Sequence, residues 1–212
     1  MTSEYEVDVR SRRYDRLHSE EVAIAFSALD CALNGEKGIY ASSELTTGRR
    51  AYDLAREHRA GSMQELREML GDEPHRALIF DRNCDEASAF ARRLREELGG
   101  AEMVITPAPF TAPGWSQAEY LHFWETLIRT RVKAVYFNQA WQYSNGCTFE
   151  FAVACEAGVA CFDASHQPLP LERGIELVEN AIRELESVSV EVPRLRLNLE
   201  RLQATVDYAP VT

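Results

Sequence analysis

Short, unbroken apolar runs alternate with longer helix-patterned stretches along most of this chain, and that alternation limits the fold more than any other feature. The runs are GIYAS (38–42), MVITPAPF (103–110), KAVYFNQ (133–139) and VACFDAS (159–165). A strand with one wet face alternates apolar and polar residues. A continuous apolar run is dry on both faces, which is the signature of a parallel sheet covered by helices on each side.

The intervening segments read as those helices. RRAYDLAREHRA (49–60) and MQELREMLG (63–71) come first, the second closed by Gly71. CDEASAFARRLREELGG follows Asn83 as its cap and ends at Gly99-Gly100. AEYLHFWETLIRTR is capped by Ser116, and GCTFEFAVACEAG (146–158) and LERGIELVENAIRELE (171–186) complete the set. ALIF (77–80) reads as a short strand or extended piece. Ser19 caps EEVAIAFSALDCAL, which stops at Asn34-Gly35, and residues 1–18 form a charged arm without clear period. Residues 187–212 mix a strand-like SVSVEV with a helix-like RLRLNLERLQATV, and the pattern leaves both open.

Ligands of parallel α/β sheets sit beyond the C-terminal ends of the strands. The loops there are SELTTG, PAPFTAPGWSQ, NQAWQYSNG and DASHQP, and they hold most of the chain's suggestive chemistry. In AWQYSNGCTFEFAVA (140–154), Ser144, Asn145 and Gly146 open a helix whose first amides can face an anion. Glu150 lies one turn in. A first-turn Glu ordinarily complements the helix dipole at the surface. The neighbours Phe149, Phe151, Ala152 and Val153 mark a buried helix instead, where a carboxyl needs a reason to be present. In GIYASSELTTGRRAYD (38–53), Ser43 and Arg49 offer a hydroxyl and a cation to a phosphate or sugar, against the ordinary reading of a plain βα loop. In the third segment Phe110, Trp115, Tyr120, Phe123 and Trp124 can frame a planar ring. Phe123 and Trp124 fit core packing better, and Trp115, in a Pro/Gly loop, fits a ligand contact better.

Composition excludes several classes. The formal net charge of −11 repels nucleic-acid polymers and anionic membranes. No apolar run approaches the roughly 20 residues of a membrane span, and the polar start has no secretory signal, so a cytoplasmic protein is expected. The five cysteines lack CxxC spacing and read as free thiols, with Cys147 the one nearest the chemistry. The histidines have no metal-binding spacing. GxGxxG, P-loop and GxSxG patterns are absent, which disfavours nicotinamide, P-loop and α/β-hydrolase chemistry.

The IYxxxxxxTGRR strand and loop, the VITPAP strand with its WSQAEYLHFW helix, and above all YSNGCTFEFAVA resemble the nucleoside 2-deoxyribosyltransferase superfamily, including its 2′-deoxynucleoside 5′-phosphate N-hydrolase branch. The resemblance covers about residues 37–165. It implies a Rossmann-like, flavodoxin-like parallel sheet with helices on both faces, spanning 37–186, with an N-terminal helical extension (1–36) and a C-terminal one (187–212). It implies cleavage or exchange at an N-glycosidic bond through Glu150 as nucleophile, oriented by Tyr40. Ser43, Arg49, Trp115, Ser144, Asn145 and Gly146 would bind a nucleotide or nucleoside, with no cofactor or metal, in a homo-oligomer. Ser144 stands where nucleoside-specific relatives carry Asp, which tilts the expectation toward a 5′-monophosphate. The family's catalytic Asp has no counterpart, and Glu119 or Glu125 is the nearest second acid. A non-catalytic nucleotide-sensing module and a protein-interaction subunit are the competing expectations.

Overall fold

The computed structural model describes residues 20–208; the predicted arm at 1–18 and the Ser19 cap lie outside them. Helix α1 (20–33) leads into β1 (Gly38–Ser42). Then come α2 (Arg49–His58), α3 (Met63–Leu70), α4 (Asp72–His75), a π-helical stretch (Arg76–Asp81) and α5 (Arg82–Glu97). β2 (Val104–Ile105), α6 (Gln117–Arg131), β3 (Val132–Phe137), α7 (Asn145–Glu156) and β4 (Ala160–Phe162) follow. The described chain ends in α8 (Leu171–Ser187) and α9 (Pro193–Tyr208).

The strands form one parallel sheet in the order β2-β1-β3-β4, the arrangement that the apolar runs predict. All of β1 is buried, as a strand covered on both faces must be. Its period of two sorts the side chains. Ile39 and Ala41 meet Phe90, Ala91 and Leu94 of α5 on one face. Tyr40 joins Val135 and Phe137 on the other, under Trp124, Leu127 and Ile128 of α6 and Phe151 of α7. Val178 and Ile182 of α8 and Leu195 and Leu202 of α9 extend that larger core. The segment 187–208 therefore belongs to the same packed body, and SVSVEV pairs with no strand.

Three local expectations are corrected. ALIF is helical, because no Gly or Pro separates it from the helix that follows; residues 72–97 run through as one helical segment with a π-helical middle. The wider π turn buries Ile79 against Ala51, Ala55 and Leu66, which a strand at the surface would not. Asn83 consequently lies inside that segment and caps nothing. It is buried, and its amide donates to the Leu45 carbonyl at 3.0 Å. MVITPAPF pairs only through Val104 and Ile105, since Pro107 and Pro109 bring no N–H to a ladder. Ser116 caps α6 as its sequence predicts, in a reciprocal pair with Glu119.

All five cysteines are free thiols. No helix among the described residues is long and apolar enough to cross a membrane.

Candidate active site

The chain leaves β1 toward β2 on one side and returns through β3 on the other, so β1 and β3 flank the point where the winding reverses. The two strands stay paired to their last residues, Ser42 and Phe137, and such a reversal point is where a parallel sheet leaves a crevice between the loops that follow. Strand periodicity aims Tyr40 and Ser42 from the same face of β1 at α7, the helix that follows β3. Both reach Glu150. The Tyr40 hydroxyl donates to Oε1 at 2.8 Å and the Ser42 hydroxyl to Oε2 at 2.6 Å. Each carboxyl oxygen thus has one donor, and the side chain is only 6% exposed.

Burial pushes the Glu150 carboxyl up to about 7, against the opposing effect of the Ser42 and Tyr40 hydrogen bonds. A carboxyl poised near neutrality can serve as nucleophile, base or acid. Tyr40 is raised well above its ordinary value by burial and then by the Glu150 charge, so it remains a donor. Cys147 is also buried and raised by burial first and by Glu150 second, which makes it a poor thiolate.

The first turn of α7 is fixed from two sides. Ser144 caps it, its Oγ accepting from the Cys147 amide at 3.3 Å. Asn198 of α9 donates to the Asn145 carbonyl at 2.9 Å and to Thr148 Oγ1 at 2.7 Å. The Asn145 amide donates to Thr47 Oγ1 at 3.0 Å. Two of the amides that a helix start offers to an anion are therefore already engaged, so the predicted anion site narrows to Gly146 and the Ser144 hydroxyl.

Glu150, Ser43, Thr46, Ser144 and Gly146 line the polar wall of a cavity of about 240 Å³. Leu45, Phe80, Phe110, Tyr120, Leu121 and Trp124 make the facing apolar wall, with Gln117 beside them. The volume is just under the roughly 300–1,000 Å³ of drug-sized pockets, which suits one small ligand. The Ser43 hydroxyl is buried with no hydrogen-bond partner among the described residues, although it borders this space. An orphaned buried hydroxyl costs stability, and a ligand polar group offsets that cost. The Asn145 side-chain oxygen is orphaned likewise, but Asn145 does not line the cavity.

Glu150, Tyr40, Ser43, Ser144 and Gly146 thus come together, as their motifs predict, whereas Arg49 and Trp115 do not reach the cavity. Arg49 pairs with Glu184 at 3.0 Å and Asp53 at 3.4 Å and donates to the Tyr143 hydroxyl at 2.9 Å. These partners draw it to the α8 side of α2. Trp115 donates to Glu21 of α1 at 2.9 Å and packs its ring behind Phe110 at 5.7 Å. Phe110 lines the cavity in its place, stacked on Phe123 at 4.9 Å. Neither proposed second acid lines it: Glu119 completes the α6 capping box, and Glu125 pairs with Arg129 and Arg201. Ser42 is the residue that sequence reasoning missed. Its signal was its place two positions beyond Tyr40 on the same strand face.

A wider groove of about 830 Å³ runs between the C-terminal end of α7, β4, α8 and α9. Its wall is mostly apolar; Glu156 there is paired with Arg129 and Arg201, and the Cys161 thiol is raised by its hydrogen bond to Cys155 and by burial, so the smaller cavity is the candidate site. Among the described residues, no group of three or more His, Cys, Asp or Glu side chains is placed to hold a metal ion. Comparison of the chain with protein-family models, with curated proteins and with solved structures finds no match.

Proposed function

We propose that the protein cleaves, or exchanges, the N-glycosidic bond of a nucleoside through Glu150. One observation carries this reading. A buried carboxyl near neutrality, each oxygen held by a hydroxyl donor, borders a cavity that is hydroxyl-rich on one wall and aromatic on the other. That division matches a ligand with a polyhydroxylated sugar and a planar ring. The resemblance of its motifs to the nucleoside 2-deoxyribosyltransferase superfamily supports the same reading and implies a homo-oligomer.

Glycosidic cleavage passes through an oxocarbenium-like transition state. A Glu150 oxygen approaches the anomeric carbon as the carbon–nitrogen bond breaks. The base leaves with the bonding pair and takes up a proton from water. Water, or the nitrogen of a second base, then displaces the carboxylate from the sugar and loses a proton, which restores Glu150. Tyr40 and Ser42 keep the carboxylate aimed throughout.

The lining favours an uncharged sugar end over the 5′-monophosphate suggested by Ser144. Among the described residues, no Lys or Arg lines the cavity, Arg49 is held by its own acids, and Glu150 contributes the only carboxyl. A phosphate dianion would meet that carboxylate with no cation beside it. Nucleosides are expected to react with kcat/KM at least about tenfold above their 5′-monophosphates, a difference of about 1.4 kcal/mol. Chromatography of free base released from a panel of paired nucleosides and monophosphates measures this. Faster release from the monophosphates would reverse the assignment.

One observation favours a second reading, a non-catalytic nucleoside-binding module: among the described residues no second carboxyl lines the cavity to protonate the leaving base. On that reading the panel binds without releasing base, and Glu150→Gln leaves affinity nearly unchanged.

A further inference from the structure

Three of the residues that line the cavity, Thr46, Thr111 and Gln117, are exposed and mark its mouth, whereas Glu150 and the orphaned Ser43 hydroxyl are buried. A nucleoside whose anomeric carbon meets Glu150 therefore carries its base outward. The hydrogen-bonding edge of a base lies across the ring from the glycosidic nitrogen, so that edge comes to the mouth on the aromatic side.

Most of the polar groups around that side already have partners. The Tyr120 hydroxyl accepts from the Ala112 amide at 2.8 Å and donates to the Ala112 carbonyl at 3.1 Å. Ser116 and Glu119 cap α6 between themselves. Gln117, the first residue of α6, is left over from that cap, and among the described residues nothing engages its side-chain amide. Thr111 has a single hydroxyl. Among the described residues, Gln117 is the one lining side chain that sets a donor and an acceptor side by side in a plane. The rings beside it are fixed: Phe110 stands edge-on to Tyr120 at 6.3 Å and to Trp124 at 5.3 Å.

We propose that Gln117 is the specificity-determining residue for the base, its amide reading the outer edge while the wall of Phe110, Tyr120 and Trp124 holds the ring. The ligand class that fits is a nucleoside whose base sets a donor beside an acceptor, either a ring N–H beside a carbonyl or an amino group beside a ring nitrogen. The proposal rests on the reading of this cavity as the nucleoside site. A primary amide turns about its last bond and offers its donor and acceptor in either order, so oxo and amino bases are both accepted. A carboxylate in its place only accepts: an amino group supplies it with protons, and an oxo group repels it.

The test measures binding and base release for the cytosine, uracil, adenine and hypoxanthine nucleosides, in ribo and 2′-deoxyribo form. It adds binding of the uncleavable phenyl C-glycosides of the same sugars, whose ring stacks but presents no polar edge. Where the parent protein consumes a nucleoside, binding is read in the Glu150→Gln background. Gln117→Leu is expected to weaken the nucleosides about tenfold, the scale of one amide's hydrogen bonds, and to leave the phenyl compounds unchanged. Gln117→Glu is expected to move the ratio of amino to oxo bases about tenfold toward cytosine and adenine. Glutamate in the first turn of a helix suits its dipole, so this variant keeps the fold, which a thermal melt checks. A Gln117→Leu protein that binds the nucleosides as wild type does, or that loses the phenyl compounds equally, overturns the proposal. So does a Gln117→Glu protein that shifts every base by the same factor. Binding that responds to Gln117 without any base release refutes the glycosidase reading alone and upholds base recognition; a parent protein that neither binds nor cleaves any of the nucleosides refutes both.

Discussion

Replacing Glu150 with glutamine should lower base release about a thousandfold or more and, in the same protein, raise stability above pH 7. The two effects have one cause. Glutamine fills the same space and can still be held by Tyr40 and Ser42, but it cannot attack a carbon. It also cannot ionise. The Glu150 carboxyl is raised from 4.5 to about 7 in the folded chain. Between those values the folded protein holds a proton that the unfolded chain has released, so wild-type stability falls as pH rises through that window and levels off above it. The shift corresponds to about 3 kcal/mol, at 1.36 kcal/mol per unit. The variant lacks this loss. Glu44 adds a slope of the same sign up to about 8, so the informative quantity is the difference between wild type and Glu150→Gln. Urea unfolding of both proteins at pH 5 and pH 8 measures it, and the difference should grow with pH. In turnover, wild-type kcat/KM should climb through about pH 7 as the carboxylate forms. A Glu150→Gln variant that still turns over, or whose stability tracks wild type across pH, removes Glu150 from the role proposed for it.

The fold was legible where local pattern and tertiary demand agree. GIYAS reads as a buried parallel strand because the helices on both faces require it to be apolar throughout. The same logic exposed Glu150: a carboxyl flanked by Phe149, Phe151 and Ala152 stands out on a helix that has no wet side. Ser42 stayed hidden because a serine at the end of a strand also fits an ordinary loop. Only the register that brings α7 over β1 gives it a partner. ALIF was misread because Ile79 and Phe80 are apolar for two unrelated reasons, one packing against α2 and α3 and the other lining the cavity. Arg49 and Trp115 have chemistry suited to a ligand, but Glu184 and Glu21, which hold them, lie 135 and 94 residues away. No local pattern reveals such partners. Asn198 is the same case in reverse, a polar residue from the least readable segment that clamps the first turn of the helix carrying Glu150.

Gly174→Ala should destabilise the protein by about 2 kcal/mol or more, although alanine is the better helix former by about 1 kcal/mol. Gly174 lies in the first turn of α8, its amide donating to the Pro170 carbonyl at 3.0 Å. α8 rests there directly on the Phe151 ring of α7, and an added Cβ would overlap that ring. The ring has nowhere to retreat. Phe151 is fully buried, with Phe137 edge-on at 5.4 Å and Trp141 tilted against it at 4.8 Å. The strain must then move α8 outward or rotate α7, and rotation of α7 draws Glu150, the preceding residue, away from Tyr40 and Ser42. A loss of 2 kcal/mol lowers the melting temperature by roughly 4–8 °C in a chain of this length. Phe151→Leu removes ring atoms from the collision, so the double variant should be more stable than the sum of the two single losses, by about 1 kcal/mol in a double-mutant cycle. Thermal melts of the four proteins give the coupling. A Gly174→Ala variant as stable as wild type, or two losses that simply add, would mean that α8 does not bear on Phe151 and that α7 is held in place by α6 and α9 alone.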